Sequence, residues 1–380
     1  MESILIDGSG GPGWIGGLYY KRNVCYALLR NRRIMQKYKL LVMTDLENAK
    51  LFLEAGVSQN GIIPCKSGNK LVQMYYWWKC IRKYHIRYIY PLNSQRMAGL
   101  FSLIRTKSIM WIPDFQDSVL PEFFNEKELK SRNKNNTAAL GKNNLLILSS
   151  RVAERDARKY YTVKANVSVM PFVSAIEPEL RMLTQSDENM TLQKFGLKHK
   201  GYVCVSNQFW QHKDHITVLK ALKILANMGR IEGINVVMTG QPNDYRAPDY
   251  YEKLINMLQD ADIKDHVQIL GFLERSEQLA VMKNASYILQ PSLFEGWGTV
   301  VEDAKVMDKL MLLSDIPLHL EQMDEHAMTF EARNPQDLAD KMLLMQAKAH
   351  DYREDMQRGL KSMQERAVSY SEAFADLLDL

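Results

Sequence analysis

The chain has 380 residues, 46% of them apolar and 24% charged, which fits a globular protein of two ordinary domains and excludes a disordered or fibrous one. No apolar run approaches ~18 residues, and the amino terminus enters a short strand, SILID, without a basic-then-apolar leader; the expectation is a cytoplasmic protein with no membrane span. The net charge of +5 conceals an asymmetry, since residues 1–175 hold 27 Lys+Arg against 12 Asp+Glu and residues 176–380 hold 22 against 32.

In the first half SILID, KLLVM, IRYIYPL, SIMWIPDF, LLILSS and VSVMPFV read as strands, with helical runs between them. The glycine-rich stretch GSGGPGWIGGLYYKRN, residues 8–23, follows the first strand and precedes a helix beginning near Leu18. Such a turn lets backbone approach a phosphate, but it lacks the G-x-G-x-x-G spacing, so a dinucleotide site is weakly supported beside a plain flexible connection. LVQMYYWWKCIRKYHIRYIY, residues 71–90, is rich in aromatics and base, as interfacial helices are; Leu71, Met74, Tyr75 and Trp78 at helical spacing are expected to be core. SIMWIPDFQDSVLPEFF, residues 108–124, ends a strand with Asp114, Gln116 and Asp117, and SRNKNNTAALGKNN, residues 131–144, reads as a mobile, basic, Asn-rich loop. The basic half suits an anionic surface, such as inner-leaflet phospholipid or a lipid-linked pyrophosphate, unless it is simply a solvated face; no nucleic-acid module is recognisable.

Residues 175–201 are polar and weakly periodic, so the domains are read as 1–175, a linker 176–200, and 201–350, with a closing helical section 351–380. YVCVSNQF, INVVMTG, VQILGFL, YILQPS and KLMLLSDI are the strands of the second half, alternating with helices such as ITVLKALKILANM and SEQLAVMKNA. Two alternating series imply two Rossmann-like α/β domains with parallel sheets, whose ligands bind beyond the carboxyl ends of the strands. Cys25, Cys65, Cys80 and Cys204 show no C-x-x-C spacing and read as reduced thiols, and the eight histidines make no metal motif.

The most informative segment is PSLFEGWGTVVEDAK, residues 291–305. A short buried strand ends there, Gly296 and Gly298 let backbone approach a ligand, and a helix follows in which Thr299 and Glu302 fit a T-x-x-E capping box. Amides at that helix start, around Gly298, Thr299 and Val300, favour a phosphate. Glu295 is suited to accept hydrogen bonds from sugar hydroxyls, since an acid between an aromatic and a glycine at the end of a buried strand needs a partner. Asp303, one turn after Thr299, is placed to bind paired ribose hydroxyls, while Glu302 reads as an ordinary first-turn acid able to substitute for it.

EGWGTVVEDAK resembles the signature of the retaining, nucleotide-sugar-dependent glycosyltransferases called group 1, family 4 type, which have the GT-B fold: two Rossmann-like domains whose sheets face a central cleft. The resemblance puts Glu295 at the first of two acids separated by seven residues, and Asp303, shorter by one methylene, at the second. It implies that Gly16 and Gly17 match paired glycines of a loop closing over donor and acceptor. It implies that Lys213, in SNQFWQHKDH, neutralises the donor diphosphate, with Gln208 where relatives carry Arg; the neighbouring His212 and His215 read as incidental on a helix surface. Asp114 keeps the acid of a His-Asp pair whose His is replaced by Pro113, and the closing section 351–380 is expected to cross back onto the first domain. The expected activity is transfer of a hexose from a UDP- or GDP-sugar to a glycan or lipid-linked hydroxyl, without metal or other cofactor, at the inner face of the membrane. Glu295, Lys213 and Asp114 are its expected catalytic residues. Rival readings are a nucleotide-sugar epimerase of the same fold and a non-catalytic subunit that binds nucleotide or lipid.

Overall fold

The computed structural model describes residues 1–10, 15–65, 70–92 and 106–379. It divides into two compact units, the first formed by residues 1–121, 126–175 and 363–380 and the second by 122–125 and 176–362.

In the first unit, strands β1 (Glu2–Asp7), β2 (Tyr38–Thr44), β3 (Ile62–Pro64), β4 (Ile86–Leu92), β5 (Lys107–Ile112), β6 (Leu145–Leu148) and β7 (Asn166–Val169) form a seven-stranded sheet in the order β3-β2-β1-β4-β5-β6-β7. The pairs β1·β2, β1·β4, β2·β3, β4·β5, β5·β6 and β6·β7 are parallel. Ile4, Leu5 and Ile6 of β1 are inaccessible, as expected of a central parallel strand covered on both faces. The second unit repeats the plan with β8 (Val203–Ser206), β9 (Val236–Thr239), β10 (Val267–Gly271), β11 (Tyr287–Gln290), β12 (Met311–Ser314) and β13 (Ala327–Phe330), ordered β10-β9-β8-β11-β12-β13 and again parallel. In both sheets the strand order reverses beside the first strand, at β1·β4 and at β8·β11, and the crevice beyond the carboxyl ends there is where such sheets take ligands.

Three expectations are corrected. Residues 131–144 are not a loop: most of them continue the helix Glu126–Leu140, whose last turn buries Ala139 and Leu140 against the core of β5 and β6. Residues 176–200 carry the helices Glu177–Met182 and Gln185–Phe195, the latter capped by reciprocal bonds between Thr184 and Asp187, and they belong to the second unit. In the helix Lys70–Lys83, Met74, Tyr75 and Trp78 are exposed, and the core contacts come from Tyr76, Trp77, Cys80 and Ile81; the side chain of Leu71 lies outside the described residues. Cys25, Cys80 and Cys204 are buried free thiols and Cys65 is exposed.

The helix Met356–Leu377 is shared, its residues through Ser362 belonging to the second unit and those from Met363 to the first. In the second unit its start is fixed by Asp308, whose carboxylate accepts from Arg358 Nη2 at 2.6 Å, Arg358 Nε at 3.0 Å and the Asp355 amide at 2.6 Å. Gly359 lets this helix meet the end of Thr299–Val306, because a Cβ there would lie 2.3 Å from the Val306 carbonyl oxygen. In the first unit Glu372 accepts from Asn31 Nδ2 at 2.7 Å and Arg33 Nη1 at 2.6 Å. Gly359→Ala should cost ~1–3 kcal/mol of stability through overpacking against backbone; urea unfolding measures it, and an unchanged midpoint would show that the contact yields.

Candidate active site

Two loops meet beyond the reversal point of the second sheet. The first, after β8, runs through Gln208 to the short 3-10 turn Gln211–Lys213, and Asp214 then takes a left-handed conformation, φ 49°, before the helix His215–Asn227. The second, after β11, carries Ser292, Glu295 and the glycines to the helix Thr299–Val306. The Leu293 amide donates to the His212 carbonyl at 2.8 Å, joining the loops. The Asn207 amide donates to Thr239 and the Phe209 amide to Gln241, each at 3.0 Å, which straps the first loop to the end of β9. Gly240 makes that possible: its φ is +147°, and a Cβ would lie 2.1 Å from the Asn207 oxygen.

The fastening brings Lys213 and Glu295 together. Lys213 Nζ donates to Glu295 Oε1 at 2.6 Å, with the side chains 15% and 11% exposed, and Ser292 Oγ donates to the same oxygen at 2.6 Å. Burial alone would raise the Glu295 carboxyl, but the Lys213 charge and these hydrogen bonds hold it below its ordinary value. Ser314 Oγ donates to the Ser292 carbonyl at 2.5 Å, and His319, wholly buried, stands behind with Nδ1 2.9 Å from the Ser314 carbonyl oxygen. That geometry makes Nδ1 the donor and leaves Nε2 as an acceptor, and burial keeps the imidazole neutral by lowering its pKa although Glu295 raises it.

The capping box expected at Thr299 and Glu302 does not form. Gly298 is the N-cap without a side-chain bond, and Gln322 does the fastening, its Oε1 accepting from the Gly298 amide at 3.0 Å. Gln322 Nε2 donates to the Gly298 carbonyl at 2.9 Å and to Glu302 Oε1 at 3.0 Å. Glu302 is therefore not an exposed first-turn acid: it is inaccessible and also accepts from Lys305 at 3.2 Å. The amides of Thr299 and Val300 open the helix, where no carbonyl within the helix is available to receive them, and Gly296 is half-buried beside them.

Asp303 is likewise inaccessible, and Arg275 Nη2 donates to its Oδ1 at 2.8 Å. Arg275 opens the helix Arg275–Asn284; its Nη1 donates to Gln278 Oε1 at 2.9 Å, and Gln278 Nε2 donates to Ser206 Oγ at 2.8 Å. A polar chain thus runs from Asp303 to the end of β8, two residues before the half-buried Gln208. Sequence reasoning missed Arg275, though an arginine at a helix start opposes the helix dipole and so signals an acidic partner. It missed Gln322 and His319 too, which carry no local signal.

His212 and His215 are not surface residues; both are buried, His215 stacking on Phe209 with centroids 4.6 Å apart, and burial pushes each down to about 3. Asp114 lies in the first unit, where it accepts from the Gln116 amide at 3.0 Å and shapes the turn after β5. Gly16 and Gly17 sit in the first turn of the helix Ile15–Leu29, and residues 11–14 of the glycine-rich stretch lie outside the described residues.

Comparison with known proteins follows the same outline. Residues 188–362 match the family model described as glycosyl transferases group 1. A 122-residue stretch is 29% identical to the O-antigen biosynthesis glycosyltransferase WclY of Escherichia coli, covering 30% of this chain and 34% of that protein, so the match spans about a third of the curated relative. Among solved structures, HepE of Anabaena in complex with UDP superposes with a TM-score of 0.68 at 16% identity, over 100% of both chains. A glycosyltransferase of Rickettsia africae superposes with a TM-score of 0.68 at 13% identity, over 100% of this chain and 96% of that one. The two-unit α/β architecture is that of the GT-B proteins.

Two outcomes follow from this site. Removing the cation of a buried pair leaves an uncompensated charge, so Arg275→Ala should cost ~3–5 kcal/mol and the Arg275→Gln/Asp303→Asn double variant clearly less than the sum of its single changes; additive losses in urea unfolding would show the two groups to be uncoupled. The depressed histidines mean that the unfolded chain binds more protons below its ordinary value of about 6.5. Stability should therefore fall as pH drops from that value toward about 3, and fall less in His215→Phe, which keeps the stack on Phe209; a wild-type urea midpoint equal at about pH 7 and about pH 4.5 would contradict it.

Proposed function

We propose, for a chain whose residues 188–362 match the group 1 glycosyltransferase family model, that it is a retaining glycosyltransferase moving a hexose from a nucleotide-diphosphate sugar to a hydroxyl acceptor in surface polysaccharide or glycolipid synthesis. The observation that carries this reading is the shielded Lys213–Glu295 pair at the reversal point of the second sheet, beside the opening amides of the helix Thr299–Val306. A cation, unsatisfied amides and an acid kept ionised are what a diphosphate and a polyhydroxylated ring need on adjacent sides.

On this reading the donor diphosphate lies against Lys213 and the amides of Thr299 and Val300, the Gly298 amide being taken by Gln322; Glu295 accepts from sugar hydroxyls, and the ribose lies toward Arg275, whose counter-ion is the inaccessible Asp303. The bond from the anomeric carbon to the diphosphate oxygen breaks as the acceptor oxygen bonds to that carbon on the same face. The acceptor proton passes to the departing diphosphate. Lys213 and the amides provide the stabilising charge, so the reading assigns no metal. A uridine nucleotide is the first donor to test, since HepE is described in complexes with UDP and with UDP-glucose; GDP-sugars are the second. Acceptor-side recognition falls to the first unit, with Asp114, while Gly16 and Gly17, in the first turn of the helix Ile15–Leu29, keep the donor-binding role that the resemblance implies. The enzyme would work on the cytoplasmic side, its basic residues 1–175 toward an anionic, lipid-linked acceptor.

The test is turnover of UDP- and GDP-sugars in a chelator, with and without hydroxyl acceptors. Donor cleavage should persist in the chelator and drop by ~2–4 kcal/mol in barrier for Glu295→Ala, the cost of losing a preorganised electrostatic group. Acceptor-independent interconversion of the sugar would instead identify an epimerase, and near wild-type cleavage by folded Glu295→Ala would remove that residue from the site.

A further inference from the structure

We propose that the outer face of the helix Lys70–Lys83 is a docking surface for anionic phospholipid. The helix covers one face of the first sheet: Cys80 and Ile81 pack with Leu5, Leu41, Met43, Ile63, Ile86, Ile89 and Leu92, and Tyr76 and Trp77 flank that cluster. Its core requirement is thereby met by one side. The other side still presents Val72, Met74, Tyr75 and Trp78, which are 41%, 39%, 63% and 40% exposed.

An isolated exposed apolar residue is ordinary, but four within seven positions of one helix, two of them aromatic, make a patch that water penalises. The patch is ordered along the helix axis. The Tyr75 and Trp78 rings stack with centroids 5.9 Å apart, and the Arg82 guanidinium lies 5.0 Å from the Trp78 ring centre. Lys79, Arg82 and Lys83 are all exposed on the same turns. Aromatic rings at headgroup depth with lysine and arginine around them are the chemistry of an interfacial helix, in which apolar burial and attraction to anionic lipid add.

Charge selects the occupant. A second copy of this chain would bring the same three cations against each other, whereas an anionic bilayer neutralises them, and the excess of 27 Lys+Arg over 12 Asp+Glu in residues 1–175 draws the same unit to that surface. The inference stands on these exposed side chains and is independent of the donor site.

The experiment is cosedimentation of the full chain with phosphatidylcholine vesicles, with and without phosphatidylglycerol, alongside sedimentation velocity without lipid. Wild type should pellet with the anionic vesicles and not with the neutral ones, and added salt should release it. Tyr75→Ser/Trp78→Ser and, separately, Lys79→Glu/Arg82→Glu should each weaken binding by about tenfold or more, as loss of buried aromatic area or of basic attraction predicts. Both variants change exposed side chains, so circular dichroism and binding of UDP or GDP should match wild type; that keeps failure here distinct from failure of the donor-site reading. No binding to anionic vesicles, equal binding by both variants, or a lipid-free dimer that the aromatic variant abolishes would overturn the proposal, the last assigning the patch to a second copy.

Discussion

An ion pair between residues 82 positions apart, Lys213 to Glu295, ties together the two loops on which the rest of the second unit's site depends. Neither group would be stable in this place alone. An 11%-exposed carboxylate carries a desolvation penalty that Lys213 and Ser292 offset, and Lys213 is held at the mouth of the sheet by the left-handed Asp214 and the strap to β9. The result is a charged pair whose members are oriented before any ligand arrives, which is how a site keeps reorganisation costs low.

The shell behind the pair is equally specific. Gln322 grips both the amide and the carbonyl of Gly298, which fixes the glycine turn and the start of the helix Thr299–Val306, and its remaining bond reaches Glu302. Ser314, at the end of β12, braces Ser292, and His319 of the helix Pro317–Gln322 holds Ser314 from behind. Of the two neighbouring acids on one helix, Glu302 is spent on holding the turn while Asp303 is directed to Arg275. Their different partners, not their different lengths, separate their roles.

Most strands were legible because parallel strands buried on both faces leave continuous apolar runs. The two exceptions explain themselves: β3 is three residues ending in Pro64, and β13, AMTF, is an edge strand with three of its four residues only half-buried. The helix Glu126–Leu140 escaped notice because, Leu129 apart, its apolar residues are confined to the last turn, and an Asn-rich helix surface looks like a loop in one dimension. Glu295, Lys213 and Asp303 could be singled out from the motif and its resemblance. That Lys213 would meet Glu295, that Arg275 would meet Asp303, and that a glutamine would do the work expected of a capping threonine are long-range facts absent from any local pattern. The helix Lys70–Lys83 shows the converse: helical spacing of Met74, Tyr75 and Trp78 identified a face correctly and gave no sign of which side it turned to.

The most direct measurement is a crystal structure of the full chain with UDP. The account predicts the terminal phosphate within hydrogen-bond reach of Lys213 Nζ and of the amides of Thr299 and Val300, with the ribose hydroxyls at the Arg275–Asp303 pair. A nucleotide bound away from these groups, with the Lys213–Glu295 pair untouched, would contradict it.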